Sequence, residues 1–343
     1  MELYVGLDVS LKETSICVVD RNGAVIAEGV AKSDPAALAE YIASEAFGAL
    51  RIGLESGPTS TWLWHELKAL DLPVICIDAR HAKAALAMQI NKTDRNDAIG
   101  IARIMQTGWY REVQVKRLSC HEVRAALNSR ALFVRMKRDT ENQIRGLLKN
   151  FGLIVGKVGR SVFPTRVREL LNERPILERA VLPLLDLREQ LKTEVAEFDR
   201  MLLKLARDND VAHRLTTVPG VGPITALTFI STIDDPTRFG RSRSVGAYIG
   251  LTPKRYASGE IDRNGRISKC GDGMLRSYLF EAAGVLLTRV PKWCAIKAWG
   301  VRLAKRIGFK KAKIAVARKL AVIMHRMWCD GTDFRWTSKE VSA

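Results

Sequence analysis

Two short apolar runs near the start of the chain each stop at a carboxylate. Leu3-Tyr4-Val5-Gly6-Leu7 is followed by Asp8, and Leu50-Arg51-Ile52-Gly53-Leu54 by Glu55. Runs this short and apolar read as strands bounded by turns. An acid at the end of such a strand loses hydration and repels any other acid beside it, so it persists only with a compensating cation. A second pair, Asp94 and Asp97, opens a helical stretch behind Thr93, three residues apart and so on one helix face. Any fold for this chain has to leave these acids where a cation can reach them. Oxygen-rich clusters of this kind suit Mg²⁺ or Mn²⁺, and the pattern points to metal-dependent phosphoryl transfer.

The elements around the acids alternate. Tyr4 to Val9 and Ser15 to Asp20 are predicted strands, and Ala24 to Gly29 is a third after the turn Arg21-Asn22-Gly23. Pro35 to Ala46 fits an amphipathic helix with Leu38, Tyr41 and Ile42 on one face. Arg51 to Glu55 is a fourth strand, Ser60 to Leu70 a helix and Pro73 to Asp78 a fifth strand, with helices over His81 to Gln89 and Asp94 to Thr107. Three antiparallel strands followed by βαβ units is the order of an RNase H-like α/β fold.

Charge divides the chain of 343 residues. Residues 1–110 hold 10 Lys/Arg and 14 Asp/Glu, a net of −4, whereas residues 111–343 hold 45 and 23, a net of +22. An acidic module is joined to a strongly basic remainder, and nucleic acid is the commonest partner for that much positive charge. No stretch approaches a membrane span, and no signal sequence precedes Leu3. The six cysteines (17, 76, 120, 270, 294 and 329) form no CxxC pair; reduced thiols and a cytoplasmic location are expected.

Residues 120–206 are poor in Gly and Pro. Leu184, Leu187, Leu191, Val195, Phe198, Leu202 and Leu205 recur at spacings of three and four, as in a coiled-coil seam. Val123 to Lys149 is a second long helix, so a dimerising helical hairpin is expected over residues 111–209; a helix pair packed within one chain is the plainer alternative. The remainder, 210–343, is expected to be mainly α-helical. Its segment Val218-Pro219-Gly220-Val221-Gly222 leads into an apolar helix, as in a helix-hairpin-helix whose backbone N–H groups meet a phosphate; a turn used only for packing would look the same. Ser258 lies among Lys254, Arg255, Arg263, Arg266, Lys269 and Arg276. Such a serine is either a turn former or a group that meets phosphate as ligand or nucleophile. Arg302 to Lys319 carries eight Lys/Arg and no acid, a basic helix facing nucleic acid or solvent.

Taken together, Gly-Leu-Asp8-Val-Ser, Leu-Glu55-Ser-Gly and Asn91-Lys-Thr-Asp94-Arg-Asn-Asp97-Ala resemble the DEDD transposases of the insertion-sequence one-ten class, which includes Piv- and MooV-type recombinases. Val218 to Gly222, Gly250-Leu-Thr-Pro253, Arg255 to Gly259 and Ser268-Lys-Cys-Gly271 resemble the C-terminal transposase domain of that class. The resemblance implies a RuvC-like domain over 1–110, a coiled coil over 111–209 and a transposase domain over 210–343. It implies that Asp8, Glu55, Asp94 and Asp97 bind Mg²⁺ (or Mn²⁺) and that Ser258 attacks DNA. It also implies a homo-oligomer, dimer or tetramer, in which one subunit's RuvC-like domain works with another's serine. The expected partners are donor and target DNA and an element-encoded structured guide (bridge) RNA. Lys254, Arg255, Lys269 and Arg276, with Gly220 and Gly222, are the expected nucleic-acid contacts.

One rival reading keeps the acids and replaces the serine with water: a RuvC-like, structure-specific endonuclease. Another, a sugar kinase or actin-like ATPase, matches Gly-Leu-Asp-Val-Ser but lacks a second Asp-Gly-Gly phosphate loop and leaves the basic half without a role. A decayed, non-catalytic RNA-binding protein would not need all four acids.

Overall fold

In the N-terminal third, side-chain alternation places apolar residues on both faces of one sheet, and helices cover each face. The computed structural model describes residues 1–87 and 93–336, which fall into two compact units, Met1–Leu118 and Ser119–Ala343. In the first unit the elements are β1 (Leu3–Val9), β2 (Glu13–Asp20), β3 (Val25–Lys32), α1 (Pro35–Glu45), β4 (Arg51–Glu55), α2 (Ser60–Ala69), β5 (Val74–Ile77), α3 (Ala79–Leu86) and α4 (Asp94–Thr107). Asn91, Lys92 and the end of the expected helix at Met88 and Gln89 lie outside the described residues.

The sheet order is β3-β2-β1-β4-β5, with β1–β2 and β2–β3 antiparallel and β1–β4 and β4–β5 parallel. This mixed sheet fits an RNase H-like domain. Val5, Leu7, Ile52 and Leu54 point to one face, where Leu38 and Ile42 of α1 and Leu63 and Leu67 of α2 cover them. Tyr4, Cys17 and Val19 point to the other, against Ala98, Ile101, Ala102 and Met105 of α4. Burial pushes the Cys17 and Cys76 thiols up to about 11, which leaves them inert.

In the second unit two long helices, α5 (Leu118–Lys149) and α7 (Pro175–Arg207), run antiparallel, with α6 (Phe163–Leu171) between them in sequence. Their pairing is fixed by Arg130 Nε donating to Asp199 at 2.5 Å, the Phe133 and Phe198 rings 5.7 Å apart, and Arg188 Nε donating to Glu141 at 2.9 Å. The outer end of the hairpin has its own small core, in which Ile144, Leu148, Phe163, Val167, Val181 and Leu185 meet. The inner end, through Leu127, Leu202 and Ala206, joins the core of the helices that follow.

The expected seam on α7 is displaced. Val181, Leu185, Arg188, Leu191, Leu202 and Ala206 are the buried row, while Leu187 and Leu205 are 38% and 39% exposed. A strict seven-residue seam drifts around a helix of 3.6 residues per turn, so α7 buries the row that its own chain covers. Arg188 within that row is 1% exposed, held by Glu141, Glu189 and the Arg160 carbonyl.

The rest of this unit is α8 (Asp210–Thr216), α9 (Pro223–Ile233), α10 (Arg243–Tyr248), the hairpin β6 (Pro253–Ser258) and β7 (Ile261–Ile267), then α11 (Gly273–Thr288), α12 (Ala295–Ile307) and α13 (Phe309–Asp330). It is mainly helical as expected, with one antiparallel hairpin projecting from it.

Candidate functional site

Strand register decides where the first two acids go. Leu7 pairs with Leu54 across β1 and β4, so Asp8 and Glu55 stand at neighbouring ends of parallel strands. Alternation puts both on the face that carries Gly6 and Gly53. That is the α4 face: a Cβ on Gly6 would overlap the Ala98 carbonyl and Ala102 amide, and one on Gly53 would press on Met105.

The direction of α4 follows from its far end. Arg51 Nη1 donates to the Met105 carbonyl at 2.9 Å and Gln106 Nε2 to the Arg21 carbonyl at 2.8 Å, so the C-terminus of α4 lies at the start of β4. Its N-terminus therefore lies at the strand ends that carry Asp8 and Glu55. Asp94 and Asp97 belong to the same stripe as Ala98, Ile101 and Met105, extended one turn beyond the sheet. Thr93 caps the helix by accepting from the Asn96 amide, and Arg95 reaches back to Glu28 of β3 at 2.6 Å. All four carboxylates thus belong to one corner of the module. Their donor set, entirely carboxylate oxygen, fits a hard divalent ion. In this conformation the described side chains do not gather three or more metal-ligating groups into a cage.

Ser258 ends β6 opposite Ile261 of β7, with Gly259 (φ 55°) and Glu260 as the two-residue turn. The hairpin is exposed along nearly its whole length. Tyr256 and Arg263, register partners, share the Ser258 face, and the Arg263 guanidinium lies 5.7 Å from the Tyr256 ring centre. The neighbouring cations differ in what they do. Lys254 and Lys269 are exposed, and Lys269 has φ 57° while its amide donates to the Gly250 carbonyl at 3.1 Å. Arg255 is engaged by Asp262 through bonds of 2.9 and 2.8 Å.

Arg276 Nη1 donates to the carbonyls of Ile249, Cys270 and Gly271 at 3.1, 2.7 and 3.0 Å, tying together the base of the hairpin. Backbones cross there at Gly250 and Gly271, where a Cβ would overlap Cys270 and Tyr248 respectively. The sequence offered no sign of this clasp beyond its glycines. A second clasp, also unread in the sequence, joins Arg124 of α5 to Asp272, the N-cap of α11.

The expected helix-hairpin-helix is α8, the turn Thr217–Gly222 and α9. Gly220 (φ 89°) packs against α11, where a Cβ would overlap the Ala282 carbonyl. Gly222, the N-cap of α9, borders open space. Packing accounts for the first glycine, and the second leaves the start of α9 accessible.

Two family profiles match parts of the chain. Residues 5–152 match a transposase profile of the DEDD IS110 type, and residues 212–298 match the profile described as transposase, IS116/IS110/IS902 family. The chain is 30% identical over 329 residues to the transposase for insertion sequence element IS1111A of Coxiella burnetii, covering 93% of this chain and 88% of that one. It is 30% identical over 226 residues to the transposase for insertion sequence element IS1328 of Yersinia enterocolitica, covering 65% and 66%. A pilin gene-inverting protein of Moraxella bovis is 30% identical over 119 residues, 34% of this chain and 36% of that one.

Proposed function

The chain belongs to the IS116/IS110/IS902 transposase family, and from that premise we propose that Asp8, Glu55, Asp94, Asp97 and Ser258 together make one DNA-recombining active site. A transposase of this family is a DNA recombination enzyme. What carries the finer reading is the register of β1 on β4, which sets Asp8 beside Glu55 at the strand ends where α4 begins.

In this reading the four carboxylates hold Mg²⁺ or Mn²⁺, which when bound polarises a phosphate oxygen. Ser258 Oγ attacks the scissile phosphorus. An Oγ–P bond forms as the P–O bond to the leaving deoxyribose breaks; the serine proton passes to solvent and the leaving oxygen takes one up. The phosphoserine keeps the energy of the diester, so a DNA hydroxyl rejoins the strands by the reverse attack without ATP. Lys254, Lys269 and Arg263 offset charge on the phosphate, and Arg276 positions the hairpin that presents the serine. Exposure of that hairpin supports its entry into the acidic module of another subunit. Apolar residues left exposed on α5 and α7, among them Leu132, Met136, Leu187, Met201 and Leu205, support self-association. The positive charge of residues 111–343 supports partnership with donor and target DNA and with a structured guide RNA.

The deciding experiment incubates the full chain with donor and target DNA, the structured RNA encoded beside its gene and Mg²⁺, then denatures it with detergent. A covalent protein–DNA species is expected, lost in Ser258→Ala with DNA binding retained. Cleavage without any covalent species would assign water as the nucleophile and return the protein to the endonuclease reading.

A further inference from the structure

The positive charge of the C-terminal unit is unevenly used. Arg124, Arg130, Arg188 and Arg255 are each paired with a carboxylate. In contrast, Arg243, Lys311, Arg318 and Lys319 have no carboxylate partner among the described residues, yet they converge on one groove of about 450 Å³. It is lined by Lys311, Arg318 and Lys319 of α13, by Ile267 at the foot of the β-hairpin and by Trp299 of α12. No acid lines it.

Two details mark the groove as built for a ligand with both a flat face and negative charge. Trp299 is 37% exposed, although burying an indole is favourable. Arg318 lies across α10 at Gly246, where even a Cβ would come within 3.0 Å of its side chain. A glycine there leaves the guanidinium its place beside the groove.

We infer that this groove holds one unpaired nucleotide of the DNA substrate, its base stacked on Trp299 and its flanking phosphates met by Arg243, Lys311, Arg318 and Lys319. The volume falls within the ~300–1,000 Å³ of small-ligand sites, too small for a duplex and adequate for a single nucleotide. An aromatic platform beside cations is the general means of holding single strands. Strand exchange necessarily passes through unpaired DNA, which gives the site an occupant. The inference rests on DNA as the substrate and is independent of the chemistry of Ser258.

The test is equilibrium binding by the full chain in EDTA, so no cleavage intervenes, using fluorescein-labelled thymidine 12-mer, a duplex of equal length and a uridine 12-mer. Trp299→Ala is expected to weaken single-stranded DNA binding roughly 5- to 100-fold and duplex binding by less than about 2-fold. The surface double variant Arg318→Ala/Lys319→Ala should make the single-strand salt slope shallower by about 1.4, at ~0.7 per cation. Equal losses on both DNA forms, an unchanged slope, or a Trp299→Ala loss confined to the uridine strand would overturn the inference. Because the double variant changes only exposed side chains, its slope decides the matter even if Trp299→Ala misfolds. Failure here with the covalent adduct intact would leave the transposition chemistry standing.

Discussion

Gly6 of β1 and Gly53 of β4 are direct register partners, and α4 rests on both. The absence of two adjacent side chains lets a helix backbone approach the sheet closely enough for its first turn to reach the ends of the same strands, where Asp8 and Glu55 stand. A glycine inside a strand usually marks such a close approach.

Gly6→Ala is therefore expected to destabilise the N-terminal module by about 1–3 kcal/mol, the usual cost of overpacking. Its Cβ meets backbone of α4, which cannot rotate away as a side chain would. Urea unfolding measures the loss, and DNA cleavage should fall further than stability alone explains, because α4 carries Asp94 and Asp97. Gly48→Ala, at a position with open space, has φ 73° and serves to measure backbone strain without overlap.

Acids in a first helical turn also stabilise the helix through its dipole, worth ~0.3–1 kcal/mol each. If that were their whole role, Asp94→Asn and Asp97→Asn would change stability by that amount and leave cleavage alone. The expected outcome is a small stability change together with a cleavage loss of roughly 100-fold or more. Chelation of divalent metal should abolish cleavage while circular dichroism stays unchanged.

Arg276→Ala is expected to lower stability by about 1–3 kcal/mol, because it releases three carbonyls at the foot of the β-hairpin. Limited proteolysis between Lys254 and Arg266 should accelerate. A variant with normal stability and protease resistance that had lost only DNA affinity would instead make Arg276 a phosphate contact.

Arg188 is a buried cation with two carboxylate partners, so removing Glu141 takes away one charge-assisted bond and leaves Glu189 to compensate the charge. Glu141→Ala should cost about 1.5–3 kcal/mol, and Arg188→Met, which removes the charge and keeps volume, less. Burial raises the carboxyl of Glu189, but the bonds from Arg188 and Lys192 outweigh it and leave the group below its ordinary 4.5. A depressed carboxylate stabilises the fold fully above that ordinary value, and the contribution disappears as pH falls through the lower folded value. Urea midpoints of wild-type protein should thus fall below pH 4.5 more steeply than those of Glu189→Gln.

Much of the N-terminal module was legible as a line of residues. Arg51–Glu55 and Asp94–Thr107 have the bounds their apolar patterns imply, and the other strands and helices of the module differ by a few residues at their ends. The seam on α7 was read less well: Leu187 and Leu205 have the right spacing but face outward, and Arg188, a charge, takes a buried place. Spacing identifies which residues share a stripe; which stripe is covered depends on what packs against it.

The candidate site divides the same way. From sequence alone came the four acids, the serine among cations, the sign change in charge along the chain and the alternation of strands with helices, because these depend on residues near one another in the chain. Tertiary structure decided that Leu7 pairs with Leu54, that α4 runs back along β1 with its acidic end at Asp8, that Gly220 packs inward, that Arg276 clasps three carbonyls and that Trp299 lines one groove with four cations. Each of these joins segments distant in sequence. They are settled by register, helix direction and the close approach of backbones, none of which leaves a periodic mark along the chain.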